Sequence, residues 1–133
     1  MICPDYLQQP RRILIADDSA SSRDLLRSIL EANGYLVEEA EDGQRVLEII
    51  ESFGPHLVIL DLHMPKLDGY STAASLRKTA VFQRTPIVAL TAAITQTAPD
   101  RISASGFSAY LVKPIRPSSL RTCVANLLQV DGV

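Results

Sequence analysis

The sequence contains very few cysteines. Of its 133 residues only Cys3 and Cys123 are cysteine, and they lie near opposite ends of the chain. A disulfide between them stays open as an alternative, but no further cysteine offers the spacing of a metal site. Because Cys123 falls on the apolar side of a predicted helix, we expect it to be a buried thiol that packs as a small hydrophobe.

Long apolar runs and dense basic runs are also missing. No apolar stretch approaches the roughly 20 residues of a membrane helix, and residues 1–12 lack the hydrophobic core of a signal peptide. The formal net charge is −2 without a stripe of Lys and Arg, whereas non-specific nucleic-acid binding needs many cationic contacts. The sequence therefore predicts a cytoplasmic protein that binds neither membranes nor nucleic acid directly.

The composition fits one folded domain. Hydrophobic residues make up 47% of the chain and charged residues 21%, which is enough apolar material for one core and too little charge for extended disorder. No internal repeat or low-complexity tract is present. We predict a flexible lead-in over residues 1–11, a domain over residues 12–129 and a tail over residues 130–133.

Short apolar runs alternate with amphipathic segments about five times along the chain. The first, third and fourth runs are continuously apolar, as in parallel strands that are buried on both faces. The second run alternates more, which favours a position nearer the sheet edge. Strands are predicted at 13–16, 35–38, 57–60, 87–90 and 110–112.

Capping and breaking residues predict a helix after each strand. Ser21 and Asp24 form a capping-box-like start, and Asn33-Gly34 is a typical helix end. The later helices are predicted from Asp42-Gly43 to Gly54-Pro55, over 71–78, over about 99–105 and from Pro117 onward. This order predicts an open, doubly wound α/β sheet, in which functional residues follow the carboxyl ends of the strands.

Charged and hydroxyl residues stand at those strand ends. Asp17 and Asp18 follow the first strand, Asp61 the third, Thr91 the fourth and Lys113 the fifth. Three neighbouring carboxylates repel one another, and one lysine neutralises only part of their charge. A hard cation such as Mg²⁺ would make the cluster tolerable, and a carboxylate beside it can accept a phosphoryl group.

Four motifs together resemble the receiver domains of response regulators and hybrid sensor kinases. The resemblance covers nearly everything from residue 12 to about 129, and its motifs lie at 13–19, 57–69, 86–92 and 110–114. It implies a single-domain, flavodoxin-like (βα)5 fold, with a doubly wound parallel sheet of five strands in the order 2-1-3-4-5.

The resemblance also implies a role for each residue at the strand ends. Asp61 would be the phosphoacceptor, and the metal ligands would be Asp17, Asp18, Asp61 and the backbone carbonyl of His63. The cofactor would be Mg²⁺, for which Mn²⁺ can substitute.

The remaining implied roles concern the response to phosphorylation. Thr91 and Tyr110 would form a switch pair, and Lys113 would pair with the phosphoryl group. The bond between Lys113 and Pro114 is typically cis in the family. The side chain of His63 is expected at the rim of the site, and His56 at the opposite end is expected to be structural.

The function implied is that of a phosphorylation switch in a two-component or phosphorelay pathway, not that of a turnover enzyme. The phosphoryl donor would be a histidine kinase or a histidine phosphotransfer protein, and the output would be a changed surface around the fourth helix, fifth strand and fifth helix. Two alternatives stay open: a degenerate receiver that only binds proteins, and a phosphatase with an Asp nucleophile. A stand-alone regulator and a receiver of a larger hybrid kinase also remain alternatives, and the downstream target and oligomeric state stay undetermined.

Overall fold

The computed structural model of the chain describes residues 10–92 and 98–132. Its centre is a five-stranded parallel sheet in the order β2-β1-β3-β4-β5, which confirms the predicted fold. The strands are β1 (Arg12–Ala16), β2 (Leu36–Ala40), β3 (Leu57–Asp61), β4 (Ile87–Thr91) and β5 (Ala109–Val112).

Five α-helices connect and follow these strands. They are α1 (Ala20–Ala32), α2 (Gly43–Phe53), α3 (Gly69–Arg77), α4 (Ala98–Ala104) and α5 (Pro117–Gly132), with a short 3-10 helix at Ala80–Phe82. The predicted helix over about 99–105 is confirmed, although it begins one residue earlier. Helix α5 continues through residues 130–132, beyond the predicted end of the domain at residue 129.

The helices cover both faces of the sheet, so each face carries its own apolar core. On β1, Leu14 packs on the face covered by α2, α3 and α4, whereas Ile13 packs on the face covered by α1 and α5. All five residues of β3 and of β4 are buried. This two-sided burial explains the continuous apolar runs in the sequence.

The start of α1 differs from the prediction. The N-cap is Ser19, whose side chain accepts a hydrogen bond from the backbone N–H of Ser22, and the helix begins at Ala20. Ser21 therefore lies inside the first turn and does not cap the helix, so the predicted Ser21–Asp24 capping box was wrong. The chain reaches its extended cap conformation two residues earlier than expected.

The two edge strands are less buried than the central ones. On β2, Val37 and Ala40 are buried while Leu36 is exposed, which confirms the predicted edge position. Strand β5 also alternates, and its Tyr110 and Val112 are exposed. Across the described residues, every helix is too short or too polar to span a bilayer.

Cys123 lies partly buried on α5 beside the apolar core of that face. Burial raises the pKa of its thiol, as expected for a cysteine that packs as a hydrophobe. Cys123 is a free thiol in the structure, and its possible disulfide partner Cys3 lies outside the described residues.

Arg77 fastens three backbone segments at the end of α3. Its guanidinium donates to the carbonyl oxygens of Gly106, Phe82 and Thr85 at 2.9, 2.7 and 2.7 Å. Burial lowers the pKa of this guanidinium. A Cβ at Gly106 would lie 2.7 Å from Cγ of Arg77, so a glycine there allows the loop after α4 to approach the arginine.

We expect Arg77→Gln to lower the free energy of unfolding by about 2 kcal/mol, because three carbonyls lose a charged donor that is only partly exposed to water. Urea denaturation measures this change. Lys78→Gln, on the next and exposed residue, is the matched control and should stay within about 0.5 kcal/mol of the wild type. An equal effect of both substitutions would contradict the assigned role of Arg77.

Candidate functional site

The carboxyl ends of β1 and β3 bring three acidic residues together. Asp17 directly follows β1 and is fully buried, and Asp61 ends β3 and is 5% exposed. Asp18 follows Asp17 and is exposed. Because the two strands are parallel neighbours, their ends lie at the same edge of the sheet. One carboxylate oxygen from each of the three residues lies within 4.8 Å of the others.

Lys113 reaches this cluster from the loop after β5. Its Nζ lies 2.9 Å from Oδ2 of Asp17 and 2.8 Å from Oδ2 of Asp61. The ammonium thus bridges the two buried carboxylates and offsets one of their two negative charges. The bond between Lys113 and Pro114 is cis, as the resemblance implied.

Backbone amides hold the second oxygen of each buried carboxylate. Oδ1 of Asp17 accepts a hydrogen bond from the N–H of Ser19 at 2.9 Å, and Oδ1 of Asp61 accepts one from the N–H of His63 at 3.0 Å. Each carboxylate is therefore oriented from two sides, by a lysine and by its own loop. Such double support fixes the direction of groups that must bind a ligand.

The electrostatic state of the site shows that charge is only partly balanced. Burial raises the pKa of Asp61, and repulsion from Asp17 acts in the same direction, whereas hydrogen bonds from Lys113 and the His63 N–H oppose them. Burial lowers the pKa of Lys113, but its hydrogen bonds to Asp61 and Asp17 outweigh this effect and raise it overall. The site thus favours an additional positive charge.

The donor set fits a hard divalent cation. Three carboxylates with oxygens this close supply the ligand type that Mg²⁺ and similar ions prefer, while an exposed Asp18 leaves room for water to complete the shell. The cluster could therefore bind a divalent metal.

Four further residues singled out in the sequence differ in burial and in their position along the sheet. Thr91 ends β4 and is buried next to β3. The side chain of His63 is exposed at the rim, as expected. Tyr110 is 41% exposed on the edge strand β5, so its ring is not part of the core here. His56 accepts a hydrogen bond from the backbone N–H of Arg12 at 2.9 Å, at the opposite end of the sheet.

Comparison with known protein families agrees with the resemblance that the sequence motifs showed. The model of the response regulator receiver domain matches residues 13–125, which is most of the chain. This chain is a member of the response regulator receiver domain family. It is therefore a receiver domain of two-component signalling, with an acidic pocket formed by Asp17, Asp18 and Asp61.

Individual relatives agree with this assignment. The receiver is 41% identical over 123 residues to the "Probable transcriptional regulator ycf27" of Porphyridium aerugineum, covering 91% of this chain and 49% of that protein. It therefore spans about half the length of this curated relative.

Solved structures of receivers superpose closely on the chain. The chemotaxis response regulator CheY4 of Vibrio cholerae has a TM-score of 0.85 at 28% identity, covering 90% of this chain and 99% of that one. The receiver domain of sensor histidine kinase PA1611 from Pseudomonas aeruginosa, a structure with magnesium coordinated in its active site cleft, has a TM-score of 0.84 at 26% identity. That match covers 91% of this chain and 99% of that one.

Two supports of the acidic pocket were not found from the sequence. A Cβ at Gly69, the first residue of α3, would clash with the carbonyl oxygen of Asp61 and lie 2.8 Å from Cα of Leu62. Gly69 lies within the motif at 57–69, but the sequence did not show that it must be glycine because α3 approaches the end of β3 closely. The second support is Arg23, whose Nη1 donates to the carbonyl oxygen of Asp17 at 2.6 Å.

We expect Asp61→Asn to raise the free energy of unfolding of the receiver at pH 7 in EDTA. The folded state raises the pKa of Asp61, so ionising this carboxyl disfavours folding. The gain should grow as the pH rises through the ordinary carboxyl range, near 4, and towards the raised pKa. It should vanish below that range, where the carboxyl is protonated in both states.

Urea denaturation of both proteins from pH 3 to 8 measures this dependence. Asp24→Asn, which changes an exposed carboxylate on α1, is the matched control and should stay within about 0.5 kcal/mol of the wild type at pH 7. A lower stability of Asp61→Asn at pH 7 would mean that the Lys113 ion pair outweighs burial and repulsion.

Proposed function

We propose that this receiver accepts a phosphoryl group on Asp61 from a phosphohistidine and that the modification changes its α4-β5-α5 surface. The observation that carries the proposal is the position of the Asp61 carboxylate. Asp61 ends the buried strand β3 at the rim of the site, and its Oδ2 lies 2.8 Å from Nζ of Lys113. Its carboxylate shares a cluster with those of Asp17 and Asp18. This arrangement suits a nucleophile that is aligned before its substrate arrives.

In the proposed transfer, a carboxylate oxygen of Asp61 attacks phosphorus. The new O–P bond forms as the P–N bond to the donor imidazole breaks, and the electron pair of that bond remains on the imidazole nitrogen. The His63 N–H holds the other oxygen of Asp61 in place. Lys113 then pairs with a phosphoryl oxygen, so the positive charge that balanced the carboxylate balances the product.

Asp17, Asp18, Asp61 and the backbone carbonyl of His63 would hold Mg²⁺, or Mn²⁺ in its place. When bound, the ion supplies positive charge that offsets the acidic cluster and the phosphoryl oxygens. The magnesium in the cleft of the PA1611 receiver supports this assignment, since that domain shares the fold at 26% identity.

Thr91 and Tyr110 are the proposed switch pair. Thr91 is buried one strand away from Asp61, where its hydroxyl would donate to a phosphoryl oxygen. The partly exposed ring of Tyr110 would then turn inward, and the surface of α4, β5 and α5 would change. The domain would thus shift between two packings biased by the charge at Asp61.

The proposed donor is a histidine kinase or a histidine phosphotransfer protein in the cytoplasm. The match to the receiver of a sensor histidine kinase supports this class of partner. We propose residues 12–129 as the functional unit, with residues 1–11 as a lead-in and residues 130–133 as a tail. Two observations support this unit: β1 begins at Arg12, and Leu128 still packs in the core. The domain would act as a phosphoacceptor that loses its phosphoryl group to water, not as a turnover enzyme.

Incubation with acetyl phosphate and Mg²⁺, followed by intact-mass measurement, tests the proposal. We expect the wild type to gain one phosphoryl group, and Asp61→Asn to gain none because its amide is not a nucleophile. Omitting Mg²⁺ should reduce the yield strongly. Asp24→Asn, which alters an exposed carboxylate outside the pocket, should be modified like the wild type.

This experiment, combined with a Mg²⁺ titration and a phosphate-ester assay, separates the alternatives. A wild type that binds Mg²⁺ but is never modified would support a receiver that only binds proteins. Continued hydrolysis of a small phosphate ester, lost in Asp61→Asn, would support an Asp-nucleophile phosphatase. Modification that persists in Asp61→Asn would contradict the assignment of the acceptor.

A further inference from the structure

Two hydrogen bonds connect the backbone of Asp17 to the end of β2, one directly and one through Arg23 on α1. The N–H of Asp17 donates to the carbonyl oxygen of Ala40 at 3.1 Å, and its own carbonyl accepts a 2.6 Å bond from Nη1 of Arg23. Nε of Arg23 also donates to a carboxylate oxygen of Glu39 at 3.0 Å. One guanidinium therefore joins the loop that carries the acidic pair to the neighbouring strand β2.

The carbonyl that Arg23 binds belongs to the peptide group between Asp17 and Asp18. A peptide group is planar, so fixing its carbonyl also fixes the amide nitrogen and the direction of the next Cα. The Asp17 side chain is oriented independently by Ser19 and Lys113. The Asp18 side chain is exposed, so the backbone sets the position from which its carboxylate reaches the other two.

We propose that Arg23 is a positioning residue for the magnesium site: together with Glu39 it fixes the peptide between Asp17 and Asp18, so that Asp18 presents its carboxylate beside Asp17 and Asp61. This inference rests on the proposed function. The planar fork of arginine suits the task, because it donates to two acceptors at once in a fixed geometry. Groups that orient metal ligands in this way contribute strongly to metal affinity.

Electrostatics alone predicts the opposite effect of removing Arg23. Its positive charge lies near the acidic cluster and repels an incoming cation, so a neutral replacement would strengthen Mg²⁺ binding by charge. Removing Arg23 would also leave the negative charge of Glu39 less compensated, which again favours tighter Mg²⁺ binding. The sign of the change in Mg²⁺ affinity therefore distinguishes positioning from charge.

Arg27 provides a matched control for this charge effect. Its Nη1 donates to Glu39 at 2.7 Å and its Nε to Glu31 at 3.0 Å, so it belongs to the same ion cluster as Arg23. The bonds of Arg27 described here go to carboxylates, whereas Arg23 also holds the carbonyl of Asp17. Both arginines help to keep the pKa of Glu39 below its usual range.

Calorimetric titration with Mg²⁺ at fixed ionic strength tests the inference on the wild type, Arg23→Gln and Arg27→Gln. We expect Arg23→Gln to bind Mg²⁺ about ten-fold more weakly. Arg27→Gln removes the same charge without freeing the peptide, so it should bind equally or slightly more tightly. In the acetyl phosphate assay, Arg23→Gln should need more Mg²⁺ but reach the wild-type maximal rate.

Equal or tighter binding by Arg23→Gln would overturn the inference, and so would a lower maximal rate with an unchanged Mg²⁺ requirement. If urea denaturation shows that Arg23→Gln does not fold, Arg23→Lys decides. This variant keeps the charge but lacks the fork, so weaker binding supports positioning and wild-type affinity overturns it. Absence of Mg²⁺ binding in the wild type would overturn the proposed function and this inference together.

Discussion

Repulsion among three carboxylates at one edge of the sheet is the constraint around which the rest of the structure is arranged. Asp17 and Asp61 meet because β1 and β3 are parallel neighbours, and burial makes their charges more costly than they would be in water. Lys113 offsets only part of that charge. The fold therefore keeps an electrostatic imbalance that a bound cation would relieve, at the expense of its own stability.

The strands that hold the carboxylates are among the most deeply buried elements of the described residues. Strands β1 and β3 are covered by helices on both faces, and the loops that follow them supply the amides of Ser19 and His63 to the two buried carboxylates. Gly69 allows α3 to lie against the Asp61 carbonyl. Charged groups that repel one another can be held close together only by such supports, because free side chains would turn away into solvent.

Much of this arrangement was predictable, because burial and strand order leave a clear pattern in the sequence. Continuous apolar runs indicated β1, β3 and β4, and the residues after them gave Asp17, Asp61 and Thr91. The support of Asp17 was not predictable in the same way. It depends on the register that pairs Ile15 with Glu39, which brings Glu39 within reach of Arg23 on α1. No local pattern encodes that pairing. The choice of Ser19 over Ser21 as N-cap also depended on the loop that Asp17 orders.

The positive charge of the site comes from an edge strand, whereas its negative charges come from buried strands inside the sheet. Lys113 follows β5, an edge strand with exposed Tyr110 and Val112, whereas the carboxylates it bridges belong to central strands. Edge elements with fewer buried contacts open and shift at lower free-energy cost than a central strand. A change of charge at Asp61 would therefore move the lysine side of the pocket more readily than the aspartate side. This asymmetry would give the proposed switch its direction, from a buried acceptor towards the surface formed by α4, β5 and α5.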